Sequence, residues 1–214
     1  QRRARLPPKG PLMAPSHSGP SDRLEASLAG FDVPAARPPD FPTADVSYAV
    51  DDTQIGRMLL ACDGSGVLVA SLFTPDAAAE EAALQRLAAR ISPRVLRRPQ
   101  SLDEARRWLE SYLDGGRPGA APAWALSLAT PFQIPVLTTL AARVGYGDRA
   151  TYGQLASWAG RPQAARAVGT ALGGNPLCVV LPCHRVVGAS GSLTGYAGGL
   201  AAKRYLLELE STSL

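Results

Sequence analysis

From Gly56 onward, apolar and polar positions fall into short blocks separated by turn residues. "GRMLLACDGSGVLVASLF" sets two apolar runs on either side of Asp63-Gly64-Ser65-Gly66, which predicts a β-hairpin. In "TPDAAAEEAALQRLAARI", Thr74 is placed as N-cap and Pro75 at the first helical position, a strong helix start. "SLDEARRWLESYLDGG" carries a capping box of Ser101 with Glu104 and runs out at Gly115. These segments predict a small α+β unit over residues 46–116. "GGRPGAAPA" is the best linker candidate, and 117–130 are assigned as the connection.

Beyond it the chain reads as helical and punctuated by glycine. "TPFQIPVLTTLAARVG" predicts a helix whose start Pro135 blurs or kinks. "TYGQLASWAG" offers Thr151 with Gln154 as a capping box and Gly160 as a stop. "RPQAARAVGTALGG" follows as a second short helix ending at Gly173-Gly174. Two such helices joined around a glycine form a helix-turn-helix. "GGLAAKRYLLELE" closes the chain as an amphipathic helix of about three turns. Residues 131–214 are therefore expected as a helical domain. Residues 1–45 hold nine of the 19 prolines and little periodicity apart from "SDRLEASLAGF", so an irregular arm is expected there.

Composition narrows the function classes. With 46% apolar residues in 214, a globular protein with a sizeable core is expected. No apolar run approaches the roughly 18–20 residues that cross a bilayer, and the first residues lack a secretory core. A soluble chain is expected, in the cytoplasm or, in a eukaryote, the nucleus. Three cysteines and two histidines make neither a disulfide framework nor a four-ligand zinc site, so no metal or cofactor is expected. The net charge of +4 is concentrated in residues 131–214. From Arg149 to Leu207 there is no acid, while six Lys or Arg occur. Such a field suits an anion, and nucleic acid is the commonest one.

The second helix of the pair sharpens that expectation. Ala164, Ala165, Ala167 and Gly169 surround a single long side chain, Arg166. The minor groove is only about 6 Å wide, and small residues let a backbone press against it. One arginine among alanines also suits a wedge where a base has left the stack. The plainer reading is close packing on a neighbouring helix with Arg166 reaching out to water. These residues alone leave the two level, and the acid-free field tips the balance to DNA.

The sharpest signal is "NPLCVVLPCHRVVG", where Pro182, Cys183, His184 and Arg185 interrupt an apolar run. Each buried polar group there costs about 1–3 kcal/mol without a partner. Adjacent Cys and His do not face one another in regular structure, so His184 would act on the thiol through a water. The imidazole would need an acid, and after Asp148 only Glu208 and Glu210 remain. Cys62 and Cys178, in apolar runs without polar neighbours, read as core residues, and His17 lies in the arm.

Taken with "NPLCVV" before it and "GSLTGYAGGLAAKRYLLELE" after it, "LPCHRVVG" resembles the methylated-DNA–protein-cysteine methyltransferases, or O6-alkylguanine-DNA alkyltransferases, from about Pro131 to Glu210. The resemblance implies a ribonuclease-H-like α+β domain followed by a helical domain with the helix-turn-helix. It implies Cys183 as alkyl acceptor, His184 as base and Glu210 orienting the imidazole, with Asn175 bracing the site. Tyr152 would assist the leaving guanine, Arg166 would be the finger, and Tyr196 and Val186 would line the pocket. The residues expected against DNA are Arg166, Ala164, Ala165, Ala167, Gly169, Tyr152 and Gln133. The implied partner is double-stranded DNA carrying O6-alkylguanine, met through the minor groove by a monomer, with no membrane. Pro135, Gly153 and Cys178 depart from the usual pattern. Two other classes fit the residues less well: a helix-turn-helix regulator with a sensor cysteine, and a cysteine hydrolase.

Overall fold

The computed structural model describes residues 44–115 and 119–212. Residues 1–43, with the arm's short helical segment and His17, lie outside the described residues. The architecture is α+β. A sheet of order β3-β2-β1-β4 is built from β1 (Val46–Thr53), β2 (Gly56–Asp63), β3 (Leu68–Phe73) and β4 (Val95–Arg97). The first three strands are antiparallel neighbours and β4 runs parallel to β1. Helix α1 (Ala77–Arg90) supplies the crossover that a parallel return requires.

The expected hairpin is present as β2 and β3. Its period of two explains a run of five buried residues in β2. Leu59 and Ala61 face a small core with Val46, Val69 and Leu87, on the side of α1. Met58, Leu60 and Cys62 face the other way, into a larger core shared with Leu137, Leu140, Leu155, Val168 and Leu206. The sheet therefore has no wet face, and its second face is closed by the C-terminal helices.

Two helix starts differ from the expected ones. Asp76, not Thr74, caps α1, its carboxylate accepting from the Ala79 N–H at 2.8 Å. Thr74 is held back because its own N–H donates to the Arg57 carbonyl at 2.9 Å, prolonging the strand pairing. The Ser101–Glu104 box does not form. Pro99 opens a 3-10 turn, Pro99–Leu102, and α2 (Asp103–Leu113) continues from it with no side-chain cap. The segment assigned as a connection is partly paired: Leu68 donates to the Ala123 carbonyl and accepts from the Ala125 N–H, laying Trp124 along β3.

The helical half matches the reading more closely. Helix α3 spans Gln133–Arg143 with Pro135 inside its first turn, where N–H groups have no intrahelical acceptor, so the helix continues past it. Helix α4 (Tyr152–Trp158) carries the full Thr151–Gln154 capping box, and Gly160 at φ 71° ends it. Helix α5 spans Ala165–Gly173 and α6 spans Gly199–Thr212. A two-stranded parallel pair, β5 (Ala150–Thr151) with β6 (Val186–Val187), fastens the start of α4 beside the Cys-His-Arg segment. Among the described residues, no helix is long and apolar enough to cross a membrane.

Candidate active site

The sheet edge sets the first half of the site. Ser71 in β3 donates its N–H to the Pro176 carbonyl at 2.8 Å and accepts the Cys178 N–H at 2.9 Å. Its hydroxyl donates to the Cys178 carbonyl at 2.9 Å. Asn175 then organises the chain that follows. Its Oδ1 accepts from the Leu177 N–H at 3.0 Å, and its Nδ2 donates to the Leu181 carbonyl at 3.0 Å and to Cys183 Sγ at 3.1 Å. Between them Val179 adopts φ 71°, a conformation that costs a β-branched residue about 1–3 kcal/mol. That strain is held in a turn closed by the Leu181 N–H on the Leu177 carbonyl at 2.8 Å.

Pro182 leads into a single 3-10 turn, Cys183–Arg185. At three residues per turn, consecutive side chains diverge by about 120°. The geometry resolves the crowding of thiol, imidazole and guanidinium in the sequence. Cys183 meets Asn175, while His184 and Arg185 both reach Glu210 on α6.

Glu210 is the hub, only 1% exposed. It accepts from His184 Nε2 at 2.8 Å, from Arg185 Nε at 3.0 Å and Nη2 at 3.0 Å, and from the Gly147 N–H at 3.1 Å. The Tyr112 hydroxyl donates to it as well. Burial works to raise the Glu210 pKa, but the hydrogen bond and charge of His184, then Arg185 and Tyr112, outweigh it and bring it to about 2. His184 is wholly buried, and burial pulls its pKa below the usual value against the opposing pull of Glu210. The imidazole therefore rests neutral, donating Nε2–H to Glu210. Its Nδ1 has no partner among the described residues and is free to act as acceptor. Of the two acids left open, Glu210 is thus the one in contact; Glu208 is exposed on the same helix.

The Cys183 thiol is held below its ordinary pKa. The neighbouring Cys178 thiol contributes most; burial opposes it, and Asn175 and the positive charge of Lys203 add to the lowering. Lys203 is fully buried, donating to the Val186 carbonyl at 2.7 Å and the Thr194 carbonyl at 3.2 Å.

Beside this lies an open cavity of about 560 Å³, walled by Tyr152, Ala165, Arg166, Gly169, Thr194 and Tyr196. Tyr152 starts α4, its ring against Gly169 of α5 and its hydroxyl accepting from Thr194 Oγ1 at 2.8 Å. Tyr196 packs edge-on against the His184 ring at 6.3 Å and against Phe73 at 5.5 Å. On α5, Val168, Ala171 and Leu172 are buried, while Arg166 and Ala167 are exposed and Ala164 and Ala165 half-buried. Arg166 and Ala167 thus face solvent rather than a neighbouring helix.

Two expected positions are placed differently. Gln133 is buried, and its carboxamide bridges the Ala171 and Gly174 carbonyls at 3.0 and 2.9 Å, capping the end of α5 instead of offering itself outward. Val186 is fully buried in β6, with its carbonyl on Lys203, and its side chain is in the core rather than on the cavity wall. Two contributors escaped the sequence reading. Lys203 lies seven residues before Glu210, two turns along the same buried face of α6, a spacing that could have exposed it. Tyr112 comes from α2 in the other half of the chain, and nothing local marks it as a donor to Glu210. Among the described residues, no group of three or more His, Cys, Asp or Glu could hold a metal ion.

The comparisons agree with this geometry. Residues 131–212 match the family model described as 6-O-methylguanine DNA methyltransferase, DNA binding domain. The chain is 36% identical over 168 residues to a methylated-DNA–protein-cysteine methyltransferase of Methanosarcina acetivorans, covering 77% of this chain and 98% of that one. A Mycobacterium tuberculosis protein of the same name is 53% identical over 83 residues, which span 39% of this chain and half of that relative. The crystal structure of Mycobacterium tuberculosis O6-methylguanine methyltransferase superposes with a TM-score of 0.66 at 35% identity, over 79% of this chain and 94% of that one. A structure of the mycobacterial protein in complex with DNA gives the same score and identity over 78% of this chain and 94% of that one.

Proposed function

Because this chain belongs to the methylated-DNA–protein-cysteine methyltransferase family, we propose that it repairs O6-alkylguanine in duplex DNA by moving the alkyl group irreversibly onto Cys183. The observation that carries this reading is a buried cysteine whose neighbouring histidine ends on a buried carboxylate, beside an open cavity walled by Tyr152, Arg166 and Tyr196.

The proton of Cys183 leaves through a water to His184 Nδ1, and the imidazolium is stabilised by Glu210 across the 2.8 Å hydrogen bond. Arg185 fixes the carboxylate in a two-pronged grip, so the ring keeps one orientation. The thiolate attacks the alkyl carbon in line. A carbon–sulfur bond forms as the carbon–O6 bond breaks, and the electron pair leaves on guanine. Tyr152 donates its phenolic proton to the departing base. Thr194 donates into the phenol oxygen, which leaves that proton pointing outward. The thioether has no return path, so each molecule acts once.

Reaching the lesion requires the base to leave the stack, at a cost of a few kcal/mol. Helix α5 enters the minor groove as part of a monomer, with Ala164, Ala165, Ala167 and Gly169 permitting close approach. Arg166 fills the vacated space, and Tyr196 receives the extruded base. Intact-mass measurement after incubation with O6-methylguanine duplex tests the reading. One added methyl, absent in Cys183→Ser, is expected; an unchanged mass in the wild-type protein contradicts it.

A further inference from the structure

We propose that Cys178 is a positioning residue for this transfer: its S–H turns from the Asn175 carbonyl to the Cys183 sulfur as that sulfur ionises, and holds the thiolate in place. The inference rests on the reading of Cys183 as acceptor. Cys178 and Cys183 are 1% and 4% exposed, so an ionised sulfur there has almost no water to solvate it. Protein donors must replace that water. Asn175 touches both cysteines. Its Nδ2 donates to Cys183 Sγ at 3.1 Å, and its carbonyl accepts from Cys178 Sγ at 3.5 Å. The Cys178 backbone is pinned on both sides by Ser71, through its N–H and its carbonyl, each at 2.9 Å. Its thiol remains the movable part.

A thiol is a weak donor to a neutral carbonyl, whereas a bond to an anionic acceptor is roughly twice as strong as a neutral one. Ionisation of Cys183 therefore draws the S–H away from Asn175. The charge balance of the pair has the same sense. Cys178 is pushed well above the usual thiol range, first by the Cys183 thiol beside it and then by burial, so it keeps the proton it must offer. Cys62 gives the internal contrast: burial is its leading influence, and its thiol moves up, opposite to Cys183. Burial alone would disarm the acceptor, and an apolar residue at 178 would leave Asn175 as its side-chain donor, with Lys203 adding only charge.

The test is an ultraviolet thiolate titration of the full chain without DNA, taking the difference between each protein and its Cys183→Ser counterpart. Cys178→Ala is expected to move the Cys183 midpoint up by about one pH unit, as loss of a donor to the charged form requires. Cys178→Ser, which keeps a donor, recovers most of that shift, a pattern that altered packing alone would not produce. An unmoved midpoint in Cys178→Ala, or a serine variant no better than alanine, overturns the role. Single-turnover transfer from O6-methylguanine duplex, run in parallel, separates the two readings. Slow transfer by Cys178→Ala that recovers at higher pH supports the role. A wild-type protein that takes no methyl while the midpoints shift as stated overturns alkyl transfer, not the thiol pairing.

Discussion

At the residue scale, chemistry is assigned by which side chains share Glu210. Arg185 neutralises the carboxylate, which allows His184 beside it to stay uncharged and therefore basic at Nδ1. Tyr112 completes the coordination from 98 residues away. Tyr112→Phe removes a donor to a buried charge, so urea unfolding should show a loss of about 1–3 kcal/mol. An unchanged midpoint would mean that the phenol does not support Glu210. The residue scale is also where sequence is most and least informative. Thr151 and Gln154 are three apart and form their box by local geometry. Ser101 and Glu104 have the same spacing, yet Pro99 pre-empts them with a 3-10 turn. Tyr112 falls on the buried stripe of α2 with Ala105, Leu109 and Leu113, which marks it as core and not as a donor, because its partner lies on a helix that only the tertiary fold brings near.

At the element scale, the site is assembled where three short pieces meet: the β5–β6 pair, the 3-10 turn and the α4–α5 helix pair. Helix α5 was readable as small-sided, but which way its small face turned was not. That depends on Val168, Ala171 and Leu172 finding the core. The close approach of α5 to Tyr152 is through Gly169, where an added Cβ would sit 3.6 Å from the ring, an ordinary contact. Gly169→Ala should therefore transfer alkyl groups nearly as well as wild type. Gly169→Leu should displace Tyr152 and slow single-turnover transfer about tenfold or more, since misplacing a reacting group is costly. Equal rates for the two variants would separate this packing from catalysis. Arg166→Ala should slow repair of duplex DNA more than of single strands, which have no stack to refill. Equal losses on both would remove Arg166 from the finger role.

At the scale of the molecule, the sheet is more than an appended layer. Ser71 of β3 holds the backbone of Cys178, and Phe73 packs on Tyr196, with Gly198 leaving it room: a Cβ there would lie 2.5 Å from the phenyl ring. The hairpin was legible from two apolar runs on either side of Asp63-Gly64-Ser65-Gly66. β1 was not, since Asp51 and Asp52 break its apolar run, and the docking of β3 against residues 176–178 joins segments over a hundred residues apart. Acid should expose the cost of the buried relay. In the unfolded chain His184 takes a proton below about pH 6.5; buried, it resists, so stability falls as the pH drops past that value. A second loss follows between the ordinary Glu value of 4.5 and about 2, as Glu210 protonates more readily unfolded than folded. Urea midpoints should decline from pH 7 to pH 3, with the first decline absent in His184→Gln. A midpoint that rose on acidification would contradict a neutral His184.

The central claim is that Cys183 takes one alkyl group and keeps it. The most direct measurement is a time course with the lesion duplex in large excess, followed by peptide mapping of the protein. One methyl per chain is expected, on the peptide carrying Cys183, and then no further loss of O6-methylguanine. Continued consumption of lesion beyond one per chain, or a methyl mapped to another residue, would contradict it.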